Sequence, residues 1–192
     1  GEYTDSDTFT LTVNPVNDAP ILSDIADQSI DEDTSLVYSL SASDIDEDAL
    51  TYVASLDGNA TVDVTDNLLT IIPTADYNGS IAVTVNVSDG EYTDSDTFTL
   101  TVNPVNDAPL AFNIDVITEE DNGITIDLLA EDIDSDVFTA SIVGQPSNGT
   151  VVLEDNLSIF YHPFGNYNGT DTVEYRIYDD DLEPSNIASI LI

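Results

Sequence analysis

The chain of 192 residues contains no cysteine, methionine, tryptophan or lysine, and its basic complement is one arginine, Arg176, and one histidine, His162. Without cysteine there are no disulfides to compensate for a thin core, no Cys-ligated zinc and no thiol nucleophile. Without lysine and with a single arginine, phosphates cannot be neutralised, so nucleic acid is excluded as a partner and anionic membranes are disfavoured. No apolar run approaches the roughly 18 residues of a membrane span, and no signal peptide is present, so an export signal is expected elsewhere in a longer parent chain. What the chain has is acid: Asp and Glu number 39, for a net charge of -38. One guanidinium cannot pair with them, and clustered like charges oppose compaction. The counter-charge must come from solution, and a divalent metal is its efficient source. Hydrophobic residues at 41% still suffice for ordinary cores, so the chain is not a disordered tail.

Self-similarity organises the rest. Residues 1–20, GEYTDSDTFTLTVNPVNDAP, return letter for letter at 90–109. Glu32-Asp33 returns as Glu120-Asp121, Asp44-Ile45-Asp46 as Asp132-Ile133-Asp134, and Tyr77-Asn78-Gly79 as Tyr167-Asn168-Gly169. Residues 1–13 then read as the last strand of a preceding repeat and 14–20 as a linker. Residues 20–103 form a complete repeat, 103–109 a second linker, and 109–192 a further repeat. Prolines make each linker short and stiff.

Strand signals are plain. Phe98, Leu100 and Val102 alternate with threonines, and Ile81, Val83, Val85 and Val87 with small or polar residues. Val173, Tyr175 and Ile177 alternate with Glu174, Arg176 and Tyr178, which places Arg176 on the solvent face. Turn clusters such as Asp57-Gly58-Asn59 and Asp89-Gly90 separate these runs. No amphipathic helix is evident. Short strands in units of about 90 residues predict an all-β chain of tandem immunoglobulin/cadherin-like Greek-key β-sandwiches, seven strands each.

The two NPVNDAP linkers, the Glu-Asp pair after each, the Asp-x-Asp pairs and the YNG turns resemble, as an ordered set, the tandem cadherin-like repeats of giant bacterial RTX-type and biofilm-associated adhesins. The resemblance covers the whole chain. It implies an extracellular, cell-surface location and Ca²⁺ bound between consecutive repeats. At the 103–109 junction the implied ligands are Glu32 and Asp76 from the complete repeat, Asn103, Asn106 and Asp107 from the linker, and Asp132, Asp134 and Asp179 from the repeat that follows. At the first junction the matching set is Asn14, Asn17, Asp18, Asp44, Asp46 and Asp89, without acids from a preceding repeat. Position 166 is Asn where the earlier repeat has Asp76, which weakens the set expected at a third junction.

Residue chemistry agrees with that implication. Calcium takes about six to eight oxygens in loose geometry, and alternate Asp residues in a loop can aim several at one centre. The competing reading is that these acids keep strand edges soluble, and it weighs most for Asp5, Asp7, Asp94 and Asp96. The runs Asp44-x-Asp46-x-Asp48 and Asp132-x-Asp134-x-Asp136 open like an EF-hand loop. The glycine and glutamate that loop requires are replaced by Ala49 and Ser55, then Val137 and Val143, so an EF-hand is rejected. With dozens of acids, no pair stands out as general acid and base, and His162 beside Pro163 reads as structural. The expected role is that of a non-enzymatic, monomeric, calcium-rigidified extender that holds an adhesive domain away from the cell, with neighbouring repeats as its partners. Two alternatives stay open: a glycan-binding or homophilic module gripping through tyrosines such as Tyr77 and Tyr167, and a spacer in a secreted hydrolase. Residues 1–13, with Phe9, Leu11 and Val13 on one face, are expected to be disordered or to pair with another chain's sheet edge.

Overall fold

A computed structural model describes residues 1–192 and divides the chain into two units, Gly1–Pro104 and Val105–Ile192. No helix occurs, so none is long and apolar enough to cross a membrane.

In unit 1, β1 (Ile21–Leu22) is followed by β2 (Gln28–Asp31), β3 (Leu36–Ser39), β4 (Ala42–Ser43), β5 (Thr51–Leu56) and β6 (Ala60–Thr65), then β7 (Leu68–Pro73), β8 (Gly79–Ser88) and β9 (Thr93–Asn103). One sheet has the order β2-β9-β8-β5 and the other β3-β7-β6, with β1 and β4 paired separately. These two sheets supply the seven strands expected of an immunoglobulin-like sandwich. The period-2 runs do what their pattern dictates: Ile81, Val83, Val85, Val87 and Leu100 are wholly buried, and Leu69 and Ile71 meet them from the facing sheet. β9 is held on both sides, antiparallel to β8 and parallel to β2.

Unit 2 repeats the plan. β10 (Leu110–Ala111), β11 (Ile114–Asp115), β12 (Ile124–Asp127) and β13 (Ala130–Glu131) lead to β14 (Thr139–Gly144) and β15 (Gly149–Asp155), then β16 (Ser158–Pro163), β17 (Thr172–Tyr178) and β18 (Ala188–Leu191). Its sheets are β11-β18-β17-β14 and β12-β16-β15. Its core centres on Ile159, Tyr161, Val173, Tyr175, Ile177 and Ile190. The two core tyrosines bring polar ends with them. Tyr175 donates to the carbonyl of Phe112 beside β10, and Tyr161 donates to the buried carboxylate of Asp171 at 3.0 Å.

Burial, with Asp171 alongside, pushes the Tyr161 phenol up to about 12. In the unfolded chain a tyrosine ionises near pH 10. The stabilisation is therefore complete below pH 10 and drains away as pH rises toward 12, because the unfolded state gives up its proton first. Unit 2 is expected to lose stability across that window, and Tyr161→Phe should move the onset of that loss upward. Phenolate absorbance followed alongside near-ultraviolet dichroism checks this; a midpoint unmoved by the substitution would exclude Tyr161 as the cause.

The verbatim repeat receives two structures. Residues 93–103 form β9, whereas residues 1–19 carry no strand and leave Phe9, Leu11 and Val13 exposed. Sequence being equal, the difference lies in the presence of the β2 and β8 neighbours.

Candidate calcium-binding poles

Each unit gathers acids where its linker enters. In unit 1 the bend after β4 is organised by Asp44, whose Oδ1 accepts the N–H of Asp46 at 2.9 Å and of Asp48 at 3.3 Å. Asp46 in turn accepts the N–H of linker residue Asp18 at 2.8 Å. From the opposite side, the β8–β9 turn presents Asp89, which accepts the side-chain amide of Asn17 at 3.0 Å. Asp89 also accepts the N–H groups of Glu91 and Tyr92. The Tyr92 N–H is the chief cause that holds the Asp89 carboxyl below the ordinary carboxylate range. One carboxylate oxygen each from Asp44, Asp46 and Asp48 lies within 4.8 Å of the other two.

Unit 2 builds the same arrangement. Asp132 Oδ1 accepts the N–H of Asp134 at 2.8 Å and of Ser135 at 3.0 Å. Asp134 accepts the N–H of Asp107 at 2.8 Å. Asn106 donates to Asp179 at 2.7 Å and to Glu183 at 3.3 Å. The Asn106 amide is the main reason the Asp179 carboxyl sits below its usual range. Sequence reasoning missed Glu183; its signal was the acid that follows the turn in both units, Glu91 in the first.

The second oxygen of the organising aspartate is the telling atom. Asp44 Oδ2 and Asp132 Oδ2 are both buried and have no hydrogen-bond partner in the protein. A buried carboxylate oxygen left unpaired is costly, and here it recurs at equivalent places in both units. The surrounding donors are carboxylates, amide oxygens and backbone, all hard oxygen. That set fits Ca²⁺, whose coordination is loose, better than Mg²⁺, which requires a near-ideal octahedron.

The other end of unit 1 holds the remaining residues. Glu32 is buried, and its N–H donates to the carbonyl of Asn103. Asp33 and Asp76 both have left-handed backbone (φ 58 and 55°), and Asp33 accepts the Asp76 N–H at 3.3 Å. Asp121 and Asn166 repeat this pair in unit 2 at 2.8 Å. Asp33 and Asp121 thus organise this turn in each unit, a role outside the sequence-derived ligand set. The Asn103 amide turns to Ser29 and Asp31 of β2. Asn14 is exposed and joins none of these hydrogen bonds.

Several sequence readings change. Tyr77 and Tyr167 are half-buried, and each donates its hydroxyl to the carbonyl three residues on, Ser80 and Thr170. Gly79 and Gly169 allow this: at φ +142 and +149°, a Cβ on either would lie 2.8 Å from that hydroxyl. The YNG motif is therefore a self-closing turn, with its tyrosine half-buried where an exposed one was expected. Arg176 is half-covered, with Nε buried and unpaired, where a solvent-facing side chain was expected. His162 is exposed, and its Nδ1 lies 2.7 Å from the carbonyl of Pro163.

Asp94 and Asp96 do more than keep a strand edge soluble. Asp94 accepts the N–H of Leu22 at 2.8 Å, and Asp96 that of Ile25 at 2.7 Å, clamping the start of the unit to β9. Asp94→Ala and Asp96→Ala are each expected to cost unit 1 about 1–3 kcal/mol, whereas Asp5→Ala and Asp7→Ala, in the exposed copy, cost nothing measurable. Urea unfolding of the four variants is the check; equal effects in both copies would refute the clamp.

The family model described as bacterial Ig domain matches residues 17–103 and again 106–190. Among solved structures, human protocadherin-24 EC1-2 (Form II) is 20% identical, with a TM-score of 0.54, and the match covers 91% of this chain and 98% of that one. Drosophila N-cadherin EC1-4 is 14% identical, with a TM-score of 0.50, covering 91% of this chain and 49% of that one. An endo-fucoidan hydrolase of glycoside hydrolase family 107 is 20% identical, with a TM-score of 0.39; the match covers 90% of this chain and only 28% of the hydrolase. No curated protein matches. At these identities the likeness to the two cadherin structures is one of fold.

Proposed function

Since the chain belongs to the bacterial Ig domain family, in two tandem copies, we propose that it is a non-catalytic, calcium-rigidified stretch of extender repeats in a large bacterial surface adhesin. Two tandem sandwiches of this family suit a spacer outside the cell, and the acid-rich poles would add the calcium dependence. The observation that carries the reading is the buried, unpartnered Oδ2 of Asp44, repeated at Asp132.

In unit 2, Asp132, Asp134, Asp179, Asn106 and Asp107 would hold the ion; in unit 1, Asp44, Asp46, Asp89, Asn17 and Asp18. Bound calcium supplies the positive charge that Asp132 Oδ2 and its neighbours lack. The hydrogen bonds from Asn106 to Asp179 and from Asp107 to Asp134 already tie the linker to the unit it enters. Neutralising the acids around them removes the repulsion that works against those ties. Extracellular calcium modules typically bind at about 10⁻⁴–10⁻³ M. The linker should therefore be loose in the calcium-poor cytosol and fixed after export.

Calorimetric titration with Ca²⁺, paired with hydrogen exchange at residues 103–109, tests this. Saturable binding that slows exchange there, both lost in Asp132→Ala/Asp134→Ala, is the expected result. Binding without any change in exchange would leave a calcium protein but end the rigidifying role.

A further inference from the structure

The outer face of the β12-β16-β15 sheet in unit 2 is built unlike its counterpart in unit 1. The two units correspond here without a gap, Leu69, Ile71 and Pro73 answering Ile159, Tyr161 and Pro163, all buried. The outward positions between them diverge. Unit 1 carries Thr70 and Ile72, whereas unit 2 carries Phe160 and His162, with ring centroids 6.4 Å apart and planes inclined at 53°. Phe164, the next outward position, is exposed.

Phe160 lies down on the sheet. A Cβ placed on Gly123, the residue before β12, would fall 2.3 Å from the tip of its ring. Unit 1 has Ser35 and Thr70 at the corresponding places. The Gly123–Phe160 pair is thus a coupled difference, and it turns one face of an aromatic ring outward. Beside the rings stand both apolar and hydrogen-bonding groups: Val152 and Thr125 are the cross-strand partners of Phe160 on either side, Thr150 is that of His162, and Thr125 donates to Glu154 at 3.0 Å. Because a carbonyl only accepts, His162 Nδ1 donates its proton to Pro163, which leaves Nε2 to meet a ligand.

We propose that this face is a binding platform for a neutral glycan. A pyranose offers a face of C–H groups and an edge of hydroxyls; the ring faces match the first, and Thr125, Thr150, Glu154 and His162 Nε2 match the second. Charge selects among occupants. A chain with net charge -38 repels anionic polysaccharide, anionic lipid and a second copy of itself. The platform uses none of the pole acids, so it works without calcium.

Affinity electrophoresis of the intact chain in chelator, through gels containing laminarin, xylan or mannan with alginate as anionic control, tests the proposal. At least one neutral polysaccharide should retard the chain and alginate should not. Phe160→Ala with His162→Ala should weaken retardation about tenfold or more, and Thr70→Ala with Ile72→Ala in unit 1 should leave it unchanged. His162→Ala alone, at an exposed side chain, gives a partial loss even where the double variant unfolds. Passage through all three neutral gels without retardation overturns the proposal. So does retardation that the unit 2 variants retain, or binding confined to alginate or to a basic protein.

Discussion

Asp171→Ala is expected to lower the melting transition of unit 2 steeply, by a loss on the order of 4 kcal/mol, while unit 1 keeps its own. Asp171 is only 5% exposed and carries no basic partner. Its two oxygens accept four hydrogen bonds: from the N–H groups of Ser147, Asn148 and Thr172 at 2.8–3.0 Å, and from the Tyr161 hydroxyl. Removing the carboxylate strands four donors at once in and around the core. An unsatisfied buried donor costs about 1–3 kcal/mol, and even with water reaching some of them the sum is on the order of 4 kcal/mol. Domains of this kind are stable by only roughly 0.05–0.15 kcal/mol per residue. Asp171→Asn, which keeps acceptor capacity at one atom, should be intermediate. Differential calorimetry resolves the two units; a loss under about 1 kcal/mol would mean that solvent replaces the carboxylate and that Asp171 is no keystone.

Removing divalent cation is expected to lower the melting temperature of both units. At 100-fold saturation a ligand adds about 2.7 kcal/mol to the native state, and for a domain of this size each kcal/mol is worth roughly 4–8 °C. A fall of about 10 °C or more on adding chelator follows. The variants separate the sites. Asp44→Ala/Asp46→Ala should make unit 1 insensitive to chelator and leave unit 2 responsive, and Asp132→Ala/Asp134→Ala should do the reverse. Melting curves that superimpose with and without chelator, in the unsubstituted chain, would rule out calcium at either pole. Magnesium at the same concentration should restore much less, because its octahedral demand suits this oxygen set poorly.

The features legible in the sequence were those with a short period. Alternation along 81–87, 98–102 and 173–177 announced buried faces because a strand's side chains must alternate, whatever lies opposite. The linker acids were legible because they recur at matched positions. What could not be read were partners far away in sequence. Asp94 and Asp5 are the same letter in the same twenty-residue context, yet only Asp94 has Leu22 to hold, 72 residues earlier. Asp171 stands where unit 1 has Ile81, and nothing local reveals that its carboxylate turns inward to Tyr161. Tyr77 and Tyr167 misled because an aromatic beside a turn reads as exposed, whereas the hydroxyl reaches three residues ahead to close that turn.

The placement of β9 has a consequence for how such a chain is made. Its parallel partner β2 precedes it by 72 residues, so the sheet cannot close until nearly the whole unit is in hand, and pairing at that separation is slow. A polypeptide emerging amino-end first therefore passes through any narrow conduit as an open, unlatched chain, and each unit latches only after its own final strand has cleared the exit. The strand that completes the sandwich also times its folding.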